Sequence, residues 1–261
     1  MAFWLPSYRS FKHAIGEMTA AAAGIHVSVR VAGEAAAAAG GDDPWAELAR
    51  RVGVRVDGLD QQRVSRTASA LGLVAIYSAF DAFVRELRGD WHSLAGVEWQ
   101  QFKGDTPLQE IRRNAPNGID IGNDESVIEY YRRCRNWIVH PAEATLSEAK
   151  AYFGTQAAAL SEARAAWDEI GNCSAPHGPE SLEFDDLKFF ARVALHIGEV
   201  ISSRFDPGNQ AIAGALPLAS WPRLAHDPIR LRRRAAGFLQ TEWGLPRSRA
   251  EEIAAIAITA T

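Results

Sequence analysis

Apolar residues recur at steps of three and four along three long stretches of the chain, and that spacing constrains its fold more than any other feature. Leu73, Tyr77, Phe80, Val84 and Leu87 follow it within residues 60–88. Val127, Tyr131, Cys134 and Ile138 follow it from Asp124 onward, and Leu187, Phe190, Val193, Ile197 and Ile201 follow it within 183–204. Positions three or four apart share one face of a helix, so each stretch predicts an amphipathic helix with one buried stripe. Asn123 or Asp124 can cap the second, Pro141 stops it, and Asp206-Pro207-Gly208 ends the third. Further helices are expected over 8–22, 146–170, 227–243 and 248–259. Asp43-Pro44 forms another helix start, a capping carboxylate followed by proline at the first helical position. Residues 27–31 (Val-Ser-Val-Arg-Val) alternate weakly and suggest a short strand, although nothing nearby would pair with it. The expected fold class is all-α, an irregular or up-and-down helical bundle. It divides into an N-terminal helical extension (1–57), a central helical domain (58–205) and a C-terminal arginine-rich helical extension (206–261).

A chain of 261 residues can bury a core without disulfides. Cys134 and Cys173 lack the paired spacing of a metal site, so a reducing, cytoplasmic setting is expected. Pro6, Arg9 and Lys12 interrupt the first apolar run and no eighteen apolar residues run together, which predicts neither a signal peptide nor a membrane partner. The seven histidines form no HxxxH or HExxH pair, and glycine-rich phosphate loops and a GxSxG elbow are missing, so no metal and no cofactor are expected. A net charge of −4 argues against indiscriminate coating of nucleic acid. Between Trp221 and Arg249, however, seven arginines face only Asp227 and Glu242, a formal excess of about +5. Arg232, Arg233 and Arg234 lie at its centre. This segment can follow a phosphate backbone, or it is an ordinary solvated face.

The chemistry-bearing segment is Tyr130-Tyr131-Arg132-Arg133-Cys134-Arg135-Asn136-Trp137-Ile138-Val139-His140-Pro141. Glu129, Arg132, Asn136 and His140 share one helical face, opposite the apolar stripe. Arg135 precedes His140 by five positions, about 140° of rotation on an ideal helix. Pro141 disfavours helical torsions at His140 and leaves the imidazole at the end of the helix, where a long arginine side chain can swing toward it.

Arg135-Asn136-x-x-x-His140 resembles the R-x4-6-H signature of the HEPN superfamily, including the polar residue after the arginine. The segment 75–87 (AIYSAFDAFVREL) resembles the long helix that precedes that motif, and the resemblance covers roughly 60–205. It implies a HEPN-like helical bundle that dimerises to bring two motif helices together as a metal-independent endoribonuclease. Such proteins act as toxins of toxin-antitoxin pairs or as antiviral defence effectors. Arg135 and His140 would be catalytic, Asn136 and Arg132 supporting, Arg133 RNA-binding, and a tRNA or mRNA the substrate; outside the resemblance, the charge excess of the tail adds Arg232, Arg233 and Arg234 as RNA-binding candidates. An antitoxin or defence-system protein is the implied partner. One HEPN toxin subfamily carries, two places after the histidine, a tyrosine that a nucleotidyltransferase antitoxin modifies; here that place is Ala142, so this mode of neutralisation does not carry over. The resemblance also draws in Asp81 as a partner of Arg135 or Arg132, while an Asp81–Arg85 surface pair at i,i+4 serves equally well.

The chemistry is coherent: RNA carries its own nucleophile, histidine moves a proton near neutral pH, and arginine steadies charge on phosphate. Other readings stay open. His140 can simply complement the negative end of a helix dipole. The chain can be a non-catalytic nucleotide- or partner-binding module, or a nucleic-acid-binding regulator that uses its arginine-rich tail. His196 reads as a packing histidine, and Asp185 and Asp186 read as carboxylates at a helix start.

Overall fold

The computed structural model describes residues 3–40, 42–56, 58, 60–116, 118–167 and 173–259. Among the described residues the fold is all-α, with eleven α-helices and no strand. They are α1 (Pro6–Ala39), α2 (Pro44–Arg51), α3 (Gln61–Ala95), α4 (Pro107–Asn114), α5 (Asp124–Val139), α6 (Glu143–Thr155), α7 (Ala157–Ala165), α8 (Phe184–Arg204), α9 (Asn209–Gly214), α10 (Pro228–Glu242) and α11 (Arg247–Thr259). By length and composition alone α3 is long and apolar enough to cross a membrane, yet its Leu73, Ile76, Phe80, Phe83, Val84 and Leu87 are buried inside the protein.

Two expectations need correction. Residues 27–31 are helical, inside α1, rather than a strand. A lone strand would leave its backbone N–H and C=O groups unpaired, whereas a helix satisfies them internally. The stretch 146–170 is two helices, α6 and α7, broken at Gln156, whose N–H still donates to Tyr152 O at 2.9 Å. The last residues of that stretch, 168–170, lie outside the described residues.

The chain forms two compact units, Met1–His13 with Phe80–Ile121 and His196–Thr261, and Ala14–Ala79 with Gly122–Leu195. These units cut across the division at 57/58 and 205/206, because α1, α3 and α8 each supply residues to both. The first unit is built on aromatic packing: Phe11 stacks on Phe83 at 5.1 Å, and Tyr8 meets the same ring edge-on at 6.2 Å. Gly198 of α8 makes that approach possible, since a Cβ there would lie 2.9 Å from the Tyr8 ring. Ser202 Oγ ties the N-terminal segment down, accepting from Leu5 N at 2.7 Å and donating to Phe3 O at 2.9 Å. The residues after 205 belong to this core, with Ile212, Leu239, Ile253 and Ala254 fully buried. Arg249 clasps Asp206 and donates from Nε to Asn209 at 2.8 Å, fastening α11 to the start of α9.

In the second unit α6 and α7 pack along α5, and α8 approaches through its first turns. Tyr130 meets Phe153 of α6 at 5.2 Å and Tyr131 meets Phe190 of α8 at 4.8 Å. Fully burying side chains of this size contributes about 1.5–3 kcal/mol each. That anchoring holds α5, and the residues at its far end, in a fixed orientation.

Candidate functional site

Helix α5 begins with Asp124 and Glu125 in its first turn, where carboxylates favour the positive end of the dipole. Asp124 is buried and accepts from Trp167 Nε1 at 3.2 Å. Asn123 occupies the capping position without capping; its Nδ2 donates to Glu162 at 2.8 Å instead. The predicted stripe is buried at Val127, Tyr131 and Cys134, while Ile138 is half-buried. Tyr130 and Ile128 are buried as well, so α5 is covered on two sides and its polar face is narrow. Burial pushes the Cys134 thiol up to about 12, and it pushes both tyrosine hydroxyls well above their ordinary range. Burial thus favours the protonated form of all three.

The arginines of α5 separate by their partners. Arg132 grips Glu129 with two bonds of 2.7 Å, and this charge-assisted pairing keeps its guanidinium firmly protonated. Arg133 lies 3.0 Å from Glu129 and 3.8 Å from Glu148, and covers the Tyr152 ring at 4.8 Å. Arg135 has no carboxylate among the described residues. It donates from Nη1 to Asn136 Oδ1 at 3.2 Å, and its Nε is buried without a hydrogen-bond partner. The supporting and RNA-binding residues expected at 132 and 133 are thus engaged by Glu129, and Arg135 keeps a positive charge that no neighbouring carboxylate neutralises.

His140 closes the helix. Its N–H donates to Asn136 O at 2.8 Å, and its φ of −126° and ψ of 73° leave the helical region ahead of Pro141. Thr145 Oγ1 stands 3.0 Å from His140 O and 2.9 Å from Ala142 O, and accepts from Ala142 N at 3.3 Å. The turn into α6 is therefore pinned through its backbone while the imidazole stays exposed. Val139 beside it is 40 % exposed.

Of the remaining predicted residues, Asp81 forms the surface pair with Arg85, 3.4 Å apart and largely exposed, an arrangement of little energetic weight. Arg232, Arg233 and Arg234 are exposed on α10, and Arg234 lies over the Trp221 ring at 5.5 Å. Among the described residues no group of three or more His, Cys, Asp or Glu side chains is placed to hold a metal ion.

The sequence reading missed the hub beneath α5. Asp186 is fully buried and accepts from Tyr131 O–H at 2.8 Å, His177 N at 2.9 Å and Glu183 N at 2.8 Å, with His177 Nδ1 at 2.7 Å. Tyr130 O–H donates to His177 O. Asp186 does serve the start of α8, as expected, but it also fastens the 173–183 loop to α5. The available signal was Tyr131 itself, a hydroxyl on the buried stripe that needed a partner. Asp185, by contrast, accepts from Ser174 near the surface at 2.8 Å.

Comparison with known family models, with curated proteins and with solved structures finds no match to this chain. The arrangement at the end of α5 brings one unneutralised guanidinium and one exposed imidazole to the same helix terminus. Those groups can bind and steady a phosphate and exchange a proton with it.

Proposed function

We propose that the chain is a metal-independent endoribonuclease of the toxin or phage-defence kind, with Arg135 and His140 as its catalytic residues. The observation that carries this reading is the sorting of charges along α5. Arg132 and Arg133 are committed to Glu129, whereas Arg135 and His140 remain available. In the proposed reaction a base removes the 2′-hydroxyl proton, and the 2′-oxygen attacks the adjacent phosphorus. The bond to the 5′-oxygen breaks, and the leaving oxygen takes up a proton. The products are a 2′,3′-cyclic phosphate and a free 5′-hydroxyl. His140 handles the proton and Arg135 offsets the charge that gathers on the phosphorane-like oxygens.

Two proton-transfer roles on opposite sides of one phosphorus call for two imidazoles, which a homodimer supplies. The exposed Val139 and the half-buried Trp137 and Ile138 give the end of α5 an apolar rim suited to a second copy. The resemblance of Arg135-Asn136-x-x-x-His140 to the HEPN signature supports the same reading. Any antitoxin must act without a tyrosine at Ala142, by covering the site or the dimer face. The substrate's own hydroxyl decides the matter: an RNA oligomer is expected to be cut to cyclic-phosphate ends, and its 2′-deoxy analogue to survive. Cleavage of the deoxy analogue at a comparable rate overturns the proposed chemistry.

A further inference from the structure

The seven arginines of the C-terminal region are not equivalent once their partners are known. Arg249 is held by Asp206 and Asn209, Arg230 lies 3.3 Å from Asp227, and Arg234 covers Trp221. Arg232 and Arg233 instead line an open cleft of 370 Å³ between α10 and α11, together with Arg247, Gln240, Gly237 and Glu251. Glu251 organises the cleft. Its carboxylate accepts from Arg247 Nε at 2.8 Å and its backbone carbonyl accepts from Arg232 Nη2 at 3.4 Å. Arg233 makes no hydrogen bond or ion pair among the described residues, so three guanidinium groups face a single carboxylate.

We propose that this cleft is a phosphate site that holds the backbone of an RNA strand, a proposal that rests on the ribonuclease reading for the identity of the nucleic acid. Guanidinium groups recognise phosphate oxygens through paired N–H donors, and Gln240 adds a neutral donor. No aromatic side chain lines the cleft, so it offers no platform for stacking a base. The site therefore reads charge and spacing and positions the strand without selecting sequence.

The test uses the full-length protein carrying His140→Ala, so that RNA is not consumed, and follows anisotropy of a labelled single-stranded RNA over a range of salt. Adding Arg232→Gln and Arg233→Gln is expected to weaken binding at least tenfold and to flatten the log–log salt slope, which changes by about 0.7 for each lost phosphate contact. Gly237 gives an independent variant: a Cβ there meets nothing within 4 Å, so the backbone admits a side chain, and Gly237→Glu adds a carboxylate to the cleft lining. Gly237→Glu should abolish binding, whereas Gly237→Ala should bind as the parent does. Equal binding by the double arginine variant and the parent overturns the site, as does a parent that binds no RNA. ATP bound in the cleft in preference to the oligomer overturns the assignment to RNA backbone. Binding that depends on the cleft, in a protein whose wild type cuts no RNA, upholds the site while removing the nuclease reading.

Discussion

Asp186→Ala is expected to lower the stability of the unit that carries α5 by about 3–5 kcal/mol, the range for removing one partner from a buried charged network. The side chain is fully buried, and the donors that converge on it come from α5 and from the loop before α8. Alanine would leave the Tyr131 hydroxyl, the Glu183 and His177 backbone N–H groups and His177 Nδ1 without their acceptor, and an orphaned buried donor such as the Tyr131 hydroxyl costs about 1–3 kcal/mol. Domains are stable by only about 5–15 kcal/mol, so this loss is a large fraction of the total. Two comparisons isolate the cause. Tyr131→Phe removes one donor and should cost about 1 kcal/mol, and Asp185→Ala, next along the chain but nearer the surface, should cost no more than that. Urea midpoints for the three variants check the order. Equal midpoints for Asp186→Ala and Asp185→Ala would contradict the role assigned to the hub.

The second large effect is on catalysis. Arg135→Ala is expected to reduce the rate of RNA cleavage by about 10²–10³, the scale for losing one preorganised donor to a developing oxyanion. Arg132→Ala should change the rate by far less, because its guanidinium is committed to Glu129. Neither variant should unfold α5, since both residues are only half-buried. Initial rates on a tRNA pool, with circular dichroism to verify folding, make the comparison. A loss of the same size at Arg132 would show that positive charge on this face matters in bulk, and that the distinction drawn by Glu129 does not.

Local features of the fold were legible and tertiary ones were not. The stripes predicted α3, α5 and α8 because helical periodicity is written in single residues, and Asp43 caps α2 through a bond from Ala46 N as its sequence promises. Helix α4 went unread although Thr106-Pro107-Leu108-Gln109 spells a capping box, in which Thr106 and Gln109 satisfy each other's backbone N–H. The sorting of the α5 arginines also lay in the spacing: Arg132 and Arg133 stand three and four residues after Glu129 and can reach it, while Arg135 stands six after and faces elsewhere. What spacing cannot supply is the meeting of distant segments. Asp186 beneath Tyr131 and Arg247 beside Arg232 depend on how helices pack, and a carboxylate at a helix start looks the same in sequence whether buried or exposed. The weak alternation at 27–31 misled for the same reason, since a strand exists only where a partner strand does.

The most direct measurement incubates purified wild-type protein and His140→Ala with total RNA and a tRNA pool in excess EDTA. The proposed chemistry predicts cleavage by the wild type that EDTA does not diminish and that the variant loses. Cleavage by His140→Ala at the wild-type rate, or wild-type cleavage that stops in EDTA and returns with added divalent metal, would contradict it.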